Sequence, residues 1–478
     1  MKGMTRFAVT LALSACTVGP NYRRPDPALP PAFATATEAL PPQPSPSAGP
    51  SFGDLVWSEF LKDEVLVDLV RTAVRENWDV QIAANRVLQA EAQVRLARSA
   101  AFPAVGIGTS SSRSRSTPAN LSLPWQGVQT TFAITGSASY AVDLWGGVRR
   151  QVEAARAALL GAEEGRRIVV QSVVLGLVET YLQLRDFDEE LAISRRTLES
   201  RRESLRLVRL REERGVASLV DVRQAESLIE TAEQAISQLE LEIPQQEDLI
   251  HTLMGGYPGA VPRGRPLTEQ GLVVSVPIGL PSSLLERRPD IRASEQQLVA
   301  ANAQVGVAKA AFFPSITLTA SGGTVSNALS GLFAAGSTVW SIGKSMALPI
   351  FEGGALTANR DLAQLQKEEA VLVYVQTVRE AFREVADALV AIQKSREVRV
   401  GQEALVQTLA DQLRLSTDRY TGGVTTFLEV LDTERQLFDQ QRGLVQAQRA
   451  ELFATLALYQ ALGGGWQPEG TASSPPPL

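Results

Sequence analysis

The chain has 478 residues, a net charge of −6 and a pI near 5.3, so it offers no basic surface of the kind that binds nucleic acid. Its single cysteine, Cys16, excludes an internal disulfide and a CxxC metal site, and its single histidine, His251, excludes a histidine cluster. The sequence contains no nucleophile motif, phosphate loop or cofactor fingerprint, which argues against an enzyme.

The N-terminus has the pattern of a bacterial secretory signal. Lys2 and Arg6 precede the short apolar run FAVTLAL, and Leu-Ser-Ala and then Cys16 follow it. This pattern predicts a signal peptide over residues 1–15 and, by its resemblance to a lipobox, a covalent lipid on Cys16. Bacterial lipoproteins held at the inner membrane use aspartate after the cysteine, whereas Thr17 stands here, so we expect an outer membrane location. An ordinary signal with a chance cysteine is the alternative.

The composition of the chain also predicts its domain boundaries. Residues 16–59 should form a lipidated extended tether, because PDPALPPAF and ALPPQPSPSAGP are rich in Pro, Ala and Ser and cannot bury a core. No run of eighteen apolar residues follows, so no transmembrane helix is expected. The predicted first repeat, linker, second repeat and disordered tail span residues 60–256, 257–285, 286–465 and 466–478, respectively.

The sequence between the tether and the tail is duplicated. AEAQVRLARSAAFP from Ala90 matches AANAQVGVAKAAFFP from Ala300, and REERGVASLVDV from Arg211 matches RYTGGVTTFLEV from Arg419. YAVDLWGG and MALPIFEGG match between these two pairs. The matches keep one order and are displaced by roughly 210 residues, which indicates a tandem duplication. Each copy reads helix, strand, strand, very long helix, tight turn, helix.

Each copy contains one unusually long helix. The segment from about Gly147 to about Glu213 has no proline, and at about 1.5 Å per residue it would extend roughly 100 Å. A periodic helix of this length indicates a coiled-coil or helical-barrel arrangement. Companion helices are expected at about 218–253 and 425–462. They follow the glycine-containing turns RGVAS and TGGVTT, which we interpret as hairpin tips.

The strands alternate between an apolar face and a face of small polar residues, as TFAITGSASYAV shows. Soluble half-buried sheets alternate in the same way. Strands of about ten residues with aromatic rings near their ends favour a membrane barrel, and these rings are Phe102, Trp125, Trp145, Phe312, Phe313, Trp340 and Phe351. Lys344 interrupts the apolar face. Four strands with open edges would leave backbone groups unpaired in lipid, so oligomerisation must close the barrel.

Several motifs together resemble one known family. They are CTVGPNYRRP after the lipobox, the twin AFP and FFP junctions, PIFEGG, and RYTGGVTTFLEVLDTERQLF. They resemble the outer membrane factor family, the TolC-like exit ducts of tripartite efflux systems, and within it the lipoprotein branch of RND-type pumps. The resemblance implies an α+β membrane protein. Its homotrimer would form a 12-stranded β-barrel, four strands per chain, continuous with a long periplasmic α-helical barrel.

The resemblance also implies a function and partners. The chain would be a passive outer membrane channel for small molecules such as drugs, delivered by an inner membrane RND-type transporter through a periplasmic adaptor protein. Outer membrane lipid would be a further partner, and no cofactor is expected beyond the lipid on Cys16. A duct for type I protein secretion and a lipid-tethered periplasmic coiled-coil scaffold are the alternatives. No His- or Met-rich stretch favours metal-ion efflux.

The family's periplasmic gate maps onto the second hairpin tip. By resemblance, Leu428 would form an apolar ring, Asp432 an acidic ring and Arg435 its ion-pair partner, with Tyr420 in the same network. Leu428, Asp432 and Arg435 follow one another at steps of four and three, so they share one stripe of a helix. A solvated helix face with a local ion pair is the alternative interpretation.

The two hairpin tips differ in their expected roles. In the first repeat, Gln224 and Ser227 stand where the second has Asp432 and Arg435, so the ion pair is not duplicated and the hairpins should open unequally. The exposed turn residues of both tips are the expected docking surface for the adaptor. They are Gly215, Val216, Gly423 and Val424.

Overall fold

The computed structural model describes residues 17–26, 52–116, 127–270 and 284–467. The predicted signal peptide, Cys16, Trp125, most of the tether and the end of the tail lie outside the described residues. The helices are α1 (Trp57–Phe60), α2 (Glu64–Glu76), α3 (Trp78–Ser99), α4 (Gly147–Glu213), α5 (Leu219–Leu253), α6 (Leu284–Arg287), α7 (Pro289–Ala310), α8 (Ala355–Thr421) and α9 (Phe427–Ala461). The strands are β1 (Ala104–Ser116), β2 (Gly127–Val142), β3 (Ser315–Ser326) and β4 (Thr338–Ala347).

The two repeats contain the same elements in the same order. Helices α3 and α7 have 22 residues each, α4 and α8 have 67 each, and α5 and α9 have 35 each. Helix α4 has the bounds that were predicted from the proline-free segment. Helices α5 and α9 begin within two residues of their expected positions. The predicted internal repeat is therefore confirmed.

The chain divides into two compact units. The first holds all four strands, and its described residues fall within 1–25, 86–162 and 294–374. The second is mainly helical, and its described residues fall within 26–85, 163–293 and 375–478. Each unit therefore contains segments of both repeats.

In the first unit, the strands form one antiparallel sheet in the order β1-β2-β3-β4, with β1 and β4 at its edges. Because successive residues of a strand point to opposite faces, the register assigns every side chain to a face. One face carries the large apolar side chains Val105, Ile107, Ile134, Leu318, Trp340 and Ile342. The other carries small and polar ones, including Thr135, Ser137, Thr319, Ser321 and Ser341. The predicted alternation is confirmed.

The predicted aromatic rings lie in two kinds of environment. Trp145 stacks on Phe313 with ring centroids 4.7 Å apart, and its indole N–H donates to the carbonyl of Pro314 at 2.8 Å. Three other rings are largely exposed on the single chain, namely Phe102, Trp340 and Phe351. Exposed rings near strand ends agree with the belt that membrane barrels place at the lipid–water boundary.

The segment that follows Cys16 is bound to the first unit. The amide of Val18 donates to the carbonyl of Trp145 at 2.9 Å. Arg24 donates to both carboxylate oxygens of Glu295, at 2.7 and 2.6 Å, and Tyr22 donates to the same carboxylate at 2.9 Å. Since these are charge-assisted bonds to a largely buried carboxylate, they hold this part of the predicted tether in one place.

In the second unit, a buried carboxylate holds the chain that follows α5. Asp63, 2% exposed, accepts from the amide of Val65 at 3.1 Å and so caps α2. Its other oxygen accepts from the amide of Arg265 at 2.9 Å and from the side chain of Gln270 at 2.7 Å. A buried carboxylate with these partners is stabilised, whereas an unpaired one would be costly.

One helix in the described part of the chain, α4, contains an 18-residue window with a mean hydropathy of 1.2. Its length and composition would suffice to cross a membrane. Of that window, 56% is buried inside the chain, and core helices of soluble proteins share this property. The window is apolar because it contributes Val173, Leu177 and Tyr181 to the helical core.

Gly255 and Gly215 offer a matched test of how closely the chain after α5 packs against the end of α2. Gly255 has a φ of 79°, and a Cβ there would lie 2.4 Å from the carbonyl oxygen of Glu76. Gly215 has a φ of 74° but open space around it. Alanine at either position meets the cost of left-handed backbone, about 1–2 kcal/mol, and only Gly255→Ala adds a backbone clash. We expect Gly255→Ala to lower the thermal unfolding midpoint clearly more than Gly215→Ala does; equal decreases would contradict this close approach.

Candidate functional site

At the first hairpin tip, helix α4 ends in a turn that contains Gly215. The amide of Val216 donates to the carbonyl of Arg211 at 2.9 Å, and the amide of Gly215 donates to the carbonyl of Glu212 at 2.8 Å. These two bonds form a Schellman motif, which needs a left-handed residue at the position of Gly215. The motif ends α4 and turns the chain toward α5.

The second tip repeats this geometry. Val424 and Gly423 donate through their amides to the carbonyls of Arg419 and Tyr420, at 2.9 and 3.0 Å. Gly423 has a φ of 72°. Val424 is 72% exposed and its counterpart Val216 is 65% exposed. Each tip thus presents one valine side chain beside a glycine whose surroundings are open.

The tips differ in how the returning helix begins. The Ser218 hydroxyl accepts from the Asp221 amide at 3.3 Å, and the Asp221 carboxylate accepts from the Ser218 amide at 2.8 Å. This capping box fixes the start of α5. Thr426, at the same position before α9, makes no side-chain capping bond. Because a capping bond contributes about 1 kcal/mol, the second tip is held less firmly.

Helix α9 has an exposed stripe and a buried one near the second tip. Leu428 is 56% exposed, and the side chains of Asp432 and Arg435 are 48% and 64% exposed. The buried stripe comprises Phe427, Val430, Glu434 and Phe438. Both stripes follow the spacing of three and four residues that keeps side chains on one side of a helix. The structure therefore places the three predicted gate residues on one exposed stripe.

The ion pair of the exposed stripe lies within α9. The Arg435 guanidinium donates to Asp432 Oδ1 at 3.0 Å, and the side-chain amide of Gln436 donates to Asp432 Oδ2 at 2.6 Å. Both partners are one helical turn from Asp432. Within one chain, the pair therefore orients the carboxylate but ties α9 to no second helix.

Tyr420 lies in the core of the tip. It is 8% exposed, its ring lies 5.3 Å from that of Phe427, and the guanidinium of Arg211 lies 4.6 Å from its ring centroid. Its hydroxyl has no hydrogen-bond partner among the described residues. Burial raises the pKa of the Tyr420 hydroxyl. Tyr420 therefore packs the hairpin and lies off the exposed stripe, and its place in the gate network stays a prediction.

Two buried charged residues in this region were not predicted from the sequence. Arg201 is 2% exposed and donates to the carbonyl of Leu228 at 2.6 Å. Glu434 is 8% exposed and accepts from the Ser204 hydroxyl at 2.9 Å. Within the described chain, Arg201 Nε and Glu434 Oε2 have no hydrogen-bond partner. A signal for Glu434 existed, because it falls at a buried-stripe position between Val430 and Phe438.

Burial governs the electrostatics of both residues. Desolvation raises the pKa of Glu434, against the hydrogen bond from Ser204 and the positive charge of Arg201. Desolvation likewise lowers the pKa of Arg201, against the negative charges of Glu434 and Asp439. Each charged form is thus less favourable here than in water.

Comparison with known proteins gives one family. Residues 69–256 and 280–464 match the family described as outer membrane efflux protein. The chain is 36% identical over 471 residues to the toluene efflux pump outer membrane protein TtgC of Pseudomonas putida, covering 97% of this chain and 96% of the relative. It is 33% identical over 463 residues to the cation efflux system protein CusC of Escherichia coli, covering 96% and 98%.

A solved channel has the same fold. The open-state structure of the MtrE outer membrane channel of Neisseria gonorrhoeae superposes with a TM-score of 0.84 at 31% sequence identity. The match covers 95% of this chain and 99% of that channel. The likeness therefore includes both the sheet and the paired long helices.

The raised pKa of Glu434 predicts how stability depends on pH. The folded chain binds this proton more tightly than the unfolded chain, so the group's contribution is full at low pH and is lost as the pH rises above the ordinary value of 4.5. Glu434→Gln keeps the size and removes the charge. We expect its thermal unfolding midpoint to exceed that of the wild type at pH 7, with a smaller difference at pH 4.

Glu203→Gln is the control for this substitution. Glu203 is exposed, and the hydrogen bond from Arg206 lowers its pKa, so its replacement should give no gain at pH 7. A lower midpoint for Glu434→Gln than for the wild type at pH 7 would show that the ionised carboxylate is stabilising.

Proposed function

Because the chain belongs to the outer membrane efflux protein family, we propose that three copies of it form the outer membrane exit duct of a tripartite efflux pump. The observation that carries this proposal is the four-stranded sheet with one apolar face, one small polar face and two open edges. In lipid, the edges of β1 and β4 must pair, and a ring of three chains pairs them in a barrel of twelve strands.

The duct lies in the outer membrane, and its long helices extend into the periplasm. The relatives are named as outer membrane components of efflux pumps, which supports a periplasmic adaptor and an inner membrane RND-type transporter as partners. Efflux relatives support this role over type I protein secretion. A tethered scaffold would have no use for a sheet with an apolar outer face.

The cargo we propose is small organic molecules such as drugs and solvents. Relatives at 36% identity are named for toluene and antibiotic efflux, while CusC, at 33%, is named for cations. The small polar face of the sheet lines the interior of the closed barrel in this proposal. Such a surface conducts what the pump delivers without a specific binding site, so selectivity rests with the partners.

Lipid attachment at Cys16 completes the proposed placement. The lipobox before Cys16 supports acylation. The bound segment that follows, anchored through Val18 and Arg24 to the unit that holds the sheet, would keep such a lipid near the barrel.

We propose that Leu428, Asp432 and Arg435 narrow the periplasmic end. Their stripe is exposed on the single chain, so in a three-fold ring it is free to face the axis. Because the Asp432–Arg435 pair lies within α9, it orients the charges of the ring, and the preference for the closed state comes from packing between helices. An adaptor that binds the open state more tightly could reverse it. The uncapped start of α9 supports larger movement at the second tip.

Single-channel conductance tests the duct and its gate. We expect purified wild-type protein to show small conductance in a planar bilayer, and Asp432→Ala plus Arg435→Ala to raise it several-fold, because both ring charges are lost. The matched control is Gln224→Ala plus Ser227→Ala at the equivalent positions of the first repeat, which should leave conductance unchanged. No conductance from any variant would contradict the duct; equal conductance in all three would contradict the gate.

Adaptor docking at the tips has its own test. The proposed docking residues are Gly215, Val216, Gly423 and Val424. Val424→Glu places a charge on an exposed apolar side chain, so we expect it to abolish drug export in cells while trimer and membrane insertion persist. Leu428→Glu, on the exposed stripe of α9, serves as control because it should alter conductance and leave co-purification with the adaptor intact. Loss of the trimer in Val424→Glu would contradict docking as the cause.

A further inference from the structure

The apolar face of the sheet contains a groove along its two central strands. The cross-strand register places Ala138 beside Ala320 and, one row further, Gly136 beside Gly322. These small residues form the floor. The floor lies on β2 and β3, so pairing of the β1 and β4 edges in a closed barrel leaves it open.

Large side chains of the outer strands flank this floor. Val105 and Ile107 of β1 stand on one side, and Ile342 and Trp340 of β4 stand on the other. Each of these four is 78–80% exposed on the chain. An apolar hollow with a volume of about 640 Å³ lies over the Ala138 and Ala320 part of this floor, and Tyr140, Leu318, Ile342 and Lys344 also line it. The groove as a whole, from the row of Trp340 to that of Lys344, extends over four residues, or about 13 Å.

One end of the groove is polar. The register places Tyr140, Leu318 and Lys344 in one row across β2, β3 and β4, so the phenol and the ammonium flank the end of the floor. Lys344 makes no ion pair with any described residue. Its row lies three residues before the end of β4, where the chain leaves the sheet toward α8.

We propose that this groove binds one phospholipid, with an acyl chain on the small-residue floor and its phosphate at Lys344. An acyl chain gains contact area on a flanked concave floor that a flat barrel wall would not offer. A lone lysine on a lipid-facing surface needs an anion or water, and a phosphate at the membrane boundary supplies the anion. The helices follow this end of the sheet, so the phospholipid belongs to the periplasmic leaflet. The inference rests on the proposed membrane duct.

Native mass spectrometry of the delipidated full-length protein, titrated with phosphatidylglycerol, tests the groove. We expect Lys344→Glu to weaken binding of the first lipid about tenfold by charge repulsion. Ala320→Phe, which fills the floor without changing charge, should weaken it to a similar degree. Lys62→Glu, at an exposed lysine outside the sheet, is the control and should bind as the wild type does. Competing inorganic phosphate should not displace the lipid, because it lacks the acyl chain.

The outcomes separate the groove from the duct. Equal lipid binding by wild type, Lys344→Glu and Ala320→Phe would overturn the groove. Displacement by inorganic phosphate alone would show a headgroup contact without a chain site and would also overturn it. Conductance of the same wild-type preparation is measured in parallel. A conducting protein without selective lipid binding leaves the duct intact, whereas selective binding without conductance removes the duct and keeps the groove.

Discussion

Backbone hydrogen bonding at the edges of the sheet is the constraint from which the rest follows. Strands β1 and β4 have a neighbour on one side only, and each unpaired backbone group in hydrocarbon costs several kcal/mol. No side chain of an edge strand can meet that cost, so the chain is complete only in a closed ring. Helix α4 begins five residues after β2 ends, and α8 begins eight residues after β4 ends. Because these connections are short, the helices that follow the strands must share the three-fold symmetry of the barrel.

The duplication preserved backbone geometry more strictly than side-chain chemistry. Gly215 and Gly423 make the same turn because only a left-handed residue can close the Schellman motif at each tip. The polar residues around the turns have no such constraint. The capping box at Ser218 and the ion pair at Asp432 therefore occur in one repeat each. One hairpin is held at its turn, and the other carries charge along its exposed stripe.

Sequence patterns predicted most of the fold because the features they report are local. The proline-free segment predicted α4, the alternation predicted the faces of the sheet, and the glycine-containing turns RGVAS and TGGVTT predicted the hairpin tips. The exposed stripe of Leu428, Asp432 and Arg435 was predictable from helical spacing alone. The buried state of Tyr420 was not, because it depends on packing against Arg211 from the other hairpin. A contact between segments that are distant in the sequence leaves no pattern in the local sequence.

The groove and the buried Glu434 illustrate the same limit. Glycines and alanines in β2 and β3 look like ordinary small residues until the register sets Gly136 beside Gly322. Likewise, Glu434 has the spacing of a core position and the charge of a surface residue. Only the structure shows that its side chain is buried. A charged residue at an apolar-stripe position is therefore a better guide to unusual energetics than a charged residue on a solvated stripe.

The exposed ion pair of α9 is compatible with the proposed gate, but it does not itself hold the helices of neighbouring chains together. Because Arg435 lies one turn from Asp432 on the same helix, the pair persists whether those helices are in contact or apart. It therefore sets the charge that the exposed stripe presents, and the preference for the closed state comes from packing between helices. A partner that opens the duct must bind the open state more tightly by at least the free energy of that preference. Burying the same pair would add a desolvation cost at each closure, which its exposed position avoids.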